Sequence, residues 1–165
     1  MEIRQATVHD VPQMQHLIQT FANEGLMLPR SEKSLYENLH AFTVVSEGNR
    51  ILGVAGLHIL WKDLAEIRSL AVDAASHGRG IGRMIVEHLA AEAEQLGIPQ
   101  VLSLTYQTTF FKKLNFQIVE KETLPRKVWK DCIYCKKFHN CDEIAMVYYT
   151  ACYEQFKETK LAENA

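Results

Sequence analysis

The chain has 165 residues, 47% of them hydrophobic and 23% charged, which is the make-up of one packed globular domain and excludes wholesale disorder. Eight Gly and four Pro are too few for a fibrous or low-complexity protein. A formal net charge of −2 gives neither nucleic acid nor an anionic membrane a general electrostatic claim on it. No apolar run approaches the roughly 20 residues of a membrane span. The opening Met-Glu-Ile-Arg-Gln-Ala lacks the basic-then-apolar plan of a secretory signal, so the expected setting is cytoplasmic.

In chain order, Ile3 to Ala6 reads as a strand. Asp10 is the expected N-cap of a helix whose apolar face is Val11, Met14, Leu17, Ile18 and Phe21, with Pro12 tolerated in its first turn and Gly25 as its stop. Leu26 to Arg30 is a loop, and Ser31 opens a second, shorter helix. Strands follow at Phe42–Ser46, Ile51–Leu60 and Ala65–Val72, the first two joined by the turn Glu47-Gly48-Asn49-Arg50. Then come a Gly-rich segment, His77 to Gly82, and an amphipathic helix from Ile81 that Gly97 ends. Val101–Leu104 and Phe116–Val119 are strands around a short helix at Thr109–Leu114. Residues from about 120 to 142 form an irregular Cys-rich insertion, Ile144–Tyr149 is the last strand, and the polar tail frays or makes a loose helix. The sum is a single α/β domain.

Strand, glycine turn, helix is the general recipe for a phosphate site. Glycines let backbone approach the anion, and the unpaired first N–H groups of the helix point at it with the helix dipole behind them. Gly78-Arg79-Gly80-Ile81-Gly82 has neither the full dinucleotide spacing nor the Gly-Lys-Ser/Thr of a Walker loop. In its setting, after Ala65-Glu66-Ile67-Arg68-Ser69-Leu70-Ala71-Val72-Asp73, it resembles motif A of the GNAT acetyltransferase superfamily, whose loop reads Arg/Gln-x-x-Gly-x-Gly/Ala. Phe110-Phe111-Lys112-Lys113-Leu114-Asn115-Phe116 is similar to that family's Phe-Tyr-x-x-Leu-Gly-Phe.

The resemblance implies a mixed, mostly antiparallel twisted sheet flanked by helices, with acetyl-CoA as cosubstrate. Backbone N–H groups of Arg79, Gly80, Gly82, Arg83 and Met84 would cradle the pyrophosphate, with His77 and Gly78 opening the loop. Backbone groups of Leu70, Ala71 and Val72 would take the acetyl carbonyl and the pantetheine arm. The sequence departs from the family at three places: His77 for Arg or Gln, Asn115 for Gly, and Phe111 for the tyrosine that protonates the departing thiolate in many members. Asn tolerates the left-handed conformation that Gly adopts there. Phe cannot act as an acid.

An amine is mostly ammonium at neutral pH, so a carboxylate beside it helps transfer. Glu66 stands where histone-type members carry their catalytic glutamate, and in a regular strand it shares a face with Arg68 and Leu70. The segments around Leu28-Pro29-Arg30-Ser31, Glu66 to Val72 and Leu124-Pro125-Arg126-Lys127 resemble the short, single-domain N-acetylglutamate synthase-like branch. That likeness implies L-glutamate as acceptor and a place in arginine biosynthesis, with Arg30 and Arg68 as carboxylate ligands and Lys127 or Arg126 as a third. Another amine acceptor, whether an amino acid, a polyamine or a protein N-terminus, and a non-catalytic CoA-binding regulatory module are the competing readings. A homodimer is left open.

Cys132-x2-Cys135-x5-Cys141 with His139 between has the spacing of a structural zinc site, with Cys152 as a rival fourth ligand. Free cytosolic thiols are the plain alternative.

Overall fold

The computed structural model describes residues 1–124 and 142–163. Seven strands form one mixed sheet in the order β1-β2-β3-β4-β5-β7-β6: β1 Glu2–Gln5, β2 Phe42–Glu47, β3 Arg50–Trp61, β4 Leu64–Val72, β5 Gln100–Thr105, β6 Gln117–Ile118 and β7 Ile144–Tyr149. The helices are α1 Val11–Asn23, α2 Glu32–Glu37, α3 Ile81–Gln95, α4 Thr108–Lys112 and α5 Tyr153–Glu163. The expected mixed, mostly antiparallel sheet with flanking helices is present. Strand β4 supplies the parallel pairing, with β5, while β1–β2, β2–β3, β5–β7 and β6–β7 run antiparallel.

The chain groups into two compact units, residues 1–58 with 67–89, and residues 59–66 with 90–165. In the first, Val11, Met14, Leu17 and Ile18 recur at helical spacing on α1 and are buried with Leu35, Phe42, Val44 and Val54. The expected second helix is present as α2, and Ser31 caps it, its Oγ accepting from the Ser34 N–H at 3.0 Å.

Asp10 departs from its expected duty. It occupies the residue before α1, yet its carboxylate makes no cap hydrogen bond to that helix. It accepts from the Thr7 N–H at 2.7 Å and from the Arg4 guanidinium at 2.7 and 2.9 Å, tying β1 to the turn that starts the helix. A bidentate cation outcompetes a cap when strand and turn bring it within reach. The hydrogen bonds from Arg4 hold the Asp10 carboxyl below its ordinary range, against the opposing effect of burial. The stabilisation is therefore complete above the ordinary carboxylate pKa of about 4 and drains away as pH falls through and below that value. Asp10→Asn is expected to cost about 1.5–3 kcal/mol at pH 7. The difference from wild type should shrink on going to pH 3, as urea unfolding at the two pH values would show.

In the second unit, β5 and β7 pair from Gln100↔Tyr149 to Thr105↔Ile144, and Leu64, Leu102, Ala145 and Val147 form the core. Asn115 has φ 69°, so it takes the left-handed place expected of it. Phe111 is buried, edge-on to Phe110 at 5.0 Å and to Phe116 at 4.9 Å. At this position the chain has a packing residue, not an acid. Helix α5 has no buried residue and leans on β7 through Tyr153 against Tyr149, ring centroids 4.4 Å apart, in keeping with a loose tail.

Candidate active site

The predicted cosubstrate loop leaves β4 at Val72 and enters α3 at Ile81. Gly78 and Gly80 have φ of 85° and 77°, a conformation that costs glycine nothing, and no atom lies within 4 Å of where a Cβ would stand on either. The loop is pinned from below. Asp73 N–H donates to the Leu52 carbonyl at 2.8 Å, and its carboxylate accepts from Arg50 at 2.6 Å. His77 Nε2–H donates to the Val72 carbonyl at 3.0 Å. The side chain that replaces the family's Arg or Gln thus closes the loop onto its own strand. Arg79 pairs with Glu47 at 2.8 Å, and Arg83 with Glu87 at 2.7 Å. The cradle is therefore backbone, with its two arginine side chains turned to carboxylates.

One of the expected donors is already engaged. Met84 N–H donates to the Gly80 carbonyl at 3.0 Å, which makes it the first bond of the helix. The N–H groups ahead of that bond, on Gly80, Ile81, Gly82 and Arg83, are the ones a helix N-terminus leaves to an anion. Ile81 was not among the expected donors, and Met84 was.

Gly53 on β3 seats this helix. A Cβ there would lie 2.7 Å from Ile81 Cγ2 and 2.9 Å from Ile85 Cδ1. The Ile81 methyl is one bond from Cβ and cannot swing clear without moving the helix start. An interior glycine within a strand is the signal that points to such an approach.

Strand β4 holds a second surprise. Ser69 has φ 59°, so the strand is not regular, and the alternation expected to place Glu66, Arg68 and Leu70 on one face is interrupted before Leu70. Glu66 is buried, whereas Arg68, Ser69, Leu70 and Val72 are half-buried and Ala71 is buried. Arg30, from the loop ahead of α2, reaches the kink. Its Nε–H donates to Ser69 Oγ at 3.4 Å, while its carbonyl accepts from Gln15 Nε2 at 3.5 Å. The fold thus brings Arg30 to the residue that follows Arg68, across 39 positions of sequence. Lys127, Cys132, Cys135, His139 and Cys141 lie outside the described residues. Cys152 Sγ lies 3.4 Å from the Glu94 carbonyl. Among the described residues no group of three or more His, Cys, Asp or Glu could hold a metal ion, and the four expected zinc ligands lie outside them. No described helix is long and apolar enough to cross a membrane.

A kinked strand, a glycine turn and a seated helix N-terminus follow one another here, the general arrangement of a phosphate-binding turn. The chain belongs to the acetyltransferase (GNAT) family, whose model matches residues 11–116, and it is an N-acetyltransferase that uses acetyl-CoA. Among its relatives, an uncharacterized N-acetyltransferase of Chlorobaculum tepidum is 37% identical over 88% of this chain and 94% of its own. The amino-acid acetyltransferase of Mycobacterium tuberculosis is 35% identical over 78% of this chain and 75% of its own. Among solved structures, Rv2747 from Mycobacterium tuberculosis in complex with CoA superposes with a TM-score of 0.77 at 30% identity, covering 90% of this chain and 99% of that one. N-acetylglutamate synthase from Neisseria gonorrhoeae, complexed with coenzyme A and N-acetyl-glutamate, gives a TM-score of 0.81 at 26% identity. That match covers 90% of this chain and 34% of the longer synthase.

Proposed function

We propose that the acceptor is L-glutamate, and that the reaction is acetyl-CoA plus L-glutamate to N-acetyl-L-glutamate plus CoA, a cytoplasmic step of arginine biosynthesis. The observation that carries this reading is the contact of Arg30 with Ser69, which brings a guanidinium to the strand of the cosubstrate loop at the residue that follows Arg68 in sequence. Glutamate presents two carboxylates, and guanidinium is the side chain suited to grip one in a two-point fork. The relatives named as amino-acid acetyltransferases and the synthase structure holding N-acetyl-glutamate support the same choice. Lys127 is a third cation proposed for the acceptor on sequence grounds.

Acetyl-CoA, held through its pyrophosphate at the first turn of α3 and through its arm at Leu70, Ala71 and Val72, supplies the activated acyl group. The free amine of glutamate attacks the acetyl carbonyl carbon, the C–S bond breaks, and the electron pair leaves with sulfur. Glu66 takes the proton that the amine loses. Since Phe111 has no proton to give, the thiolate is protonated by another group or by water. The test is chemical. Incubation with acetyl-CoA and L-glutamate should yield N-acetyl-L-glutamate and free thiol in equal amounts by mass spectrometry and thiol titration. Thiol release without that product would contradict the proposal.

A further inference from the structure

Among the described residues only Ser69 and Asn115 have positive φ without being glycine. Asn adopts that conformation readily, and serine does so at a cost that glycine would remove. A serine kept in a strained place within a strand needs a use for its side chain, because sparsely populated backbone conformations persist where the surroundings demand them. The use is visible. The hydroxyl of Ser69 accepts from Arg30 Nε–H, and Gln15 holds the carbonyl of the same arginine.

We propose that Ser69 is a positioning residue for the acceptor: the left-handed turn at Ser69 aims its hydroxyl at Arg30 and thereby fixes the guanidinium plane that receives an acceptor carboxylate. This rests on the reading of Arg30 as an acceptor ligand. The same kink interrupts the strand between Arg68 and Leu70.

Steady-state kinetics with L-glutamate and acetyl-CoA on Ser69→Gly, Ser69→Asn, Arg30→Ala and the Arg30→Ala/Ser69→Gly double variant tests it. Glycine relieves the backbone and deletes the hydroxyl, so Ser69→Gly should fold at least as well as wild type, with an unchanged KM for acetyl-CoA. Its KM for glutamate should rise about three- to tenfold with little change in kcat, the worth of one hydrogen bond. Ser69→Asn keeps both the turn and an acceptor oxygen and should recover part of the loss. In the Arg30→Ala background, Ser69→Gly should add nothing, because its action runs through Arg30. A wild-type glutamate KM in Ser69→Gly, beside a raised one in Arg30→Ala, would overturn the positioning role and leave the acceptor reading standing. A full further loss in the double variant would also overturn it. An unchanged glutamate KM in Arg30→Ala would remove the reading of Arg30 as an acceptor ligand and the positioning role together.

Discussion

Gly82→Asp is expected to abolish acetyl-CoA binding while leaving the fold intact. Gly82 is the second residue of α3, in the first turn, where the pyrophosphate is proposed to bind. An aspartate there carries its own negative charge to the place of the pyrophosphate. At an effective dielectric constant of 20, two unit charges about 4 Å apart interact by about 4 kcal/mol, a factor near a thousand. Salt screening reduces this, and a loss of at least about a hundredfold should remain in a calorimetric titration with acetyl-CoA. The helix itself does not suffer, because a carboxylate in its first turn is favourable to its dipole. An unchanged or higher melting temperature, beside lost binding, would separate the site from the fold. Unchanged affinity would place the pyrophosphate elsewhere.

The second large effect concerns acceptor choice. Charge-assisted contacts of one carboxylate are worth roughly 1.5–3 kcal/mol, about one to two powers of ten. Arg30→Ala and Arg68→Ala should each lower kcat/KM for glutamate by that order, with the KM for acetyl-CoA little changed. Lysine in place of either arginine should rescue only in part, since an ammonium cannot engage both oxygens in the fork. Glu66→Gln should behave differently, lowering kcat most at low pH, where the amine is mainly protonated and a base matters most. Full activity in both arginine variants would show that the clamp is made by other residues.

The sequence showed the elements well where pattern and punctuation agree. Strand β7 has the bounds read from Ile144–Tyr149, Ser31 caps α2, and Asn115 stands in for glycine. It failed where the outcome depends on three-dimensional proximity. Ala65 to Val72 reads as an unbroken strand because apolar spacing carries no sign of φ, so the turn at Ser69 left no trace. The partner of Asp10 is a residue of β1, and nothing local distinguishes a capping carboxylate from one captured by Arg4. Gly53 was legible in principle as an interior strand glycine, yet what it makes room for becomes visible only when α3 is placed against β3. Met84 shows the limit of motif transfer. The motif marks which residues surround an anion, and the helix decides which of their N–H groups it has already used.

The proposed acceptor stands or falls on selectivity for a second carboxylate. The most direct measurement is kcat/KM from thiol release, with L-glutamate and L-glutamine compared first and then lysine, a polyamine and a peptide N-terminus. Glutamine has the shape of glutamate without its side-chain charge, so the ratio isolates the cationic clamp. A preference for glutamate of about ten- to a hundredfold is the predicted result. Equal rates with both, or a preference for a cationic amine, would contradict the glutamate assignment while leaving the acetyltransferase itself in place.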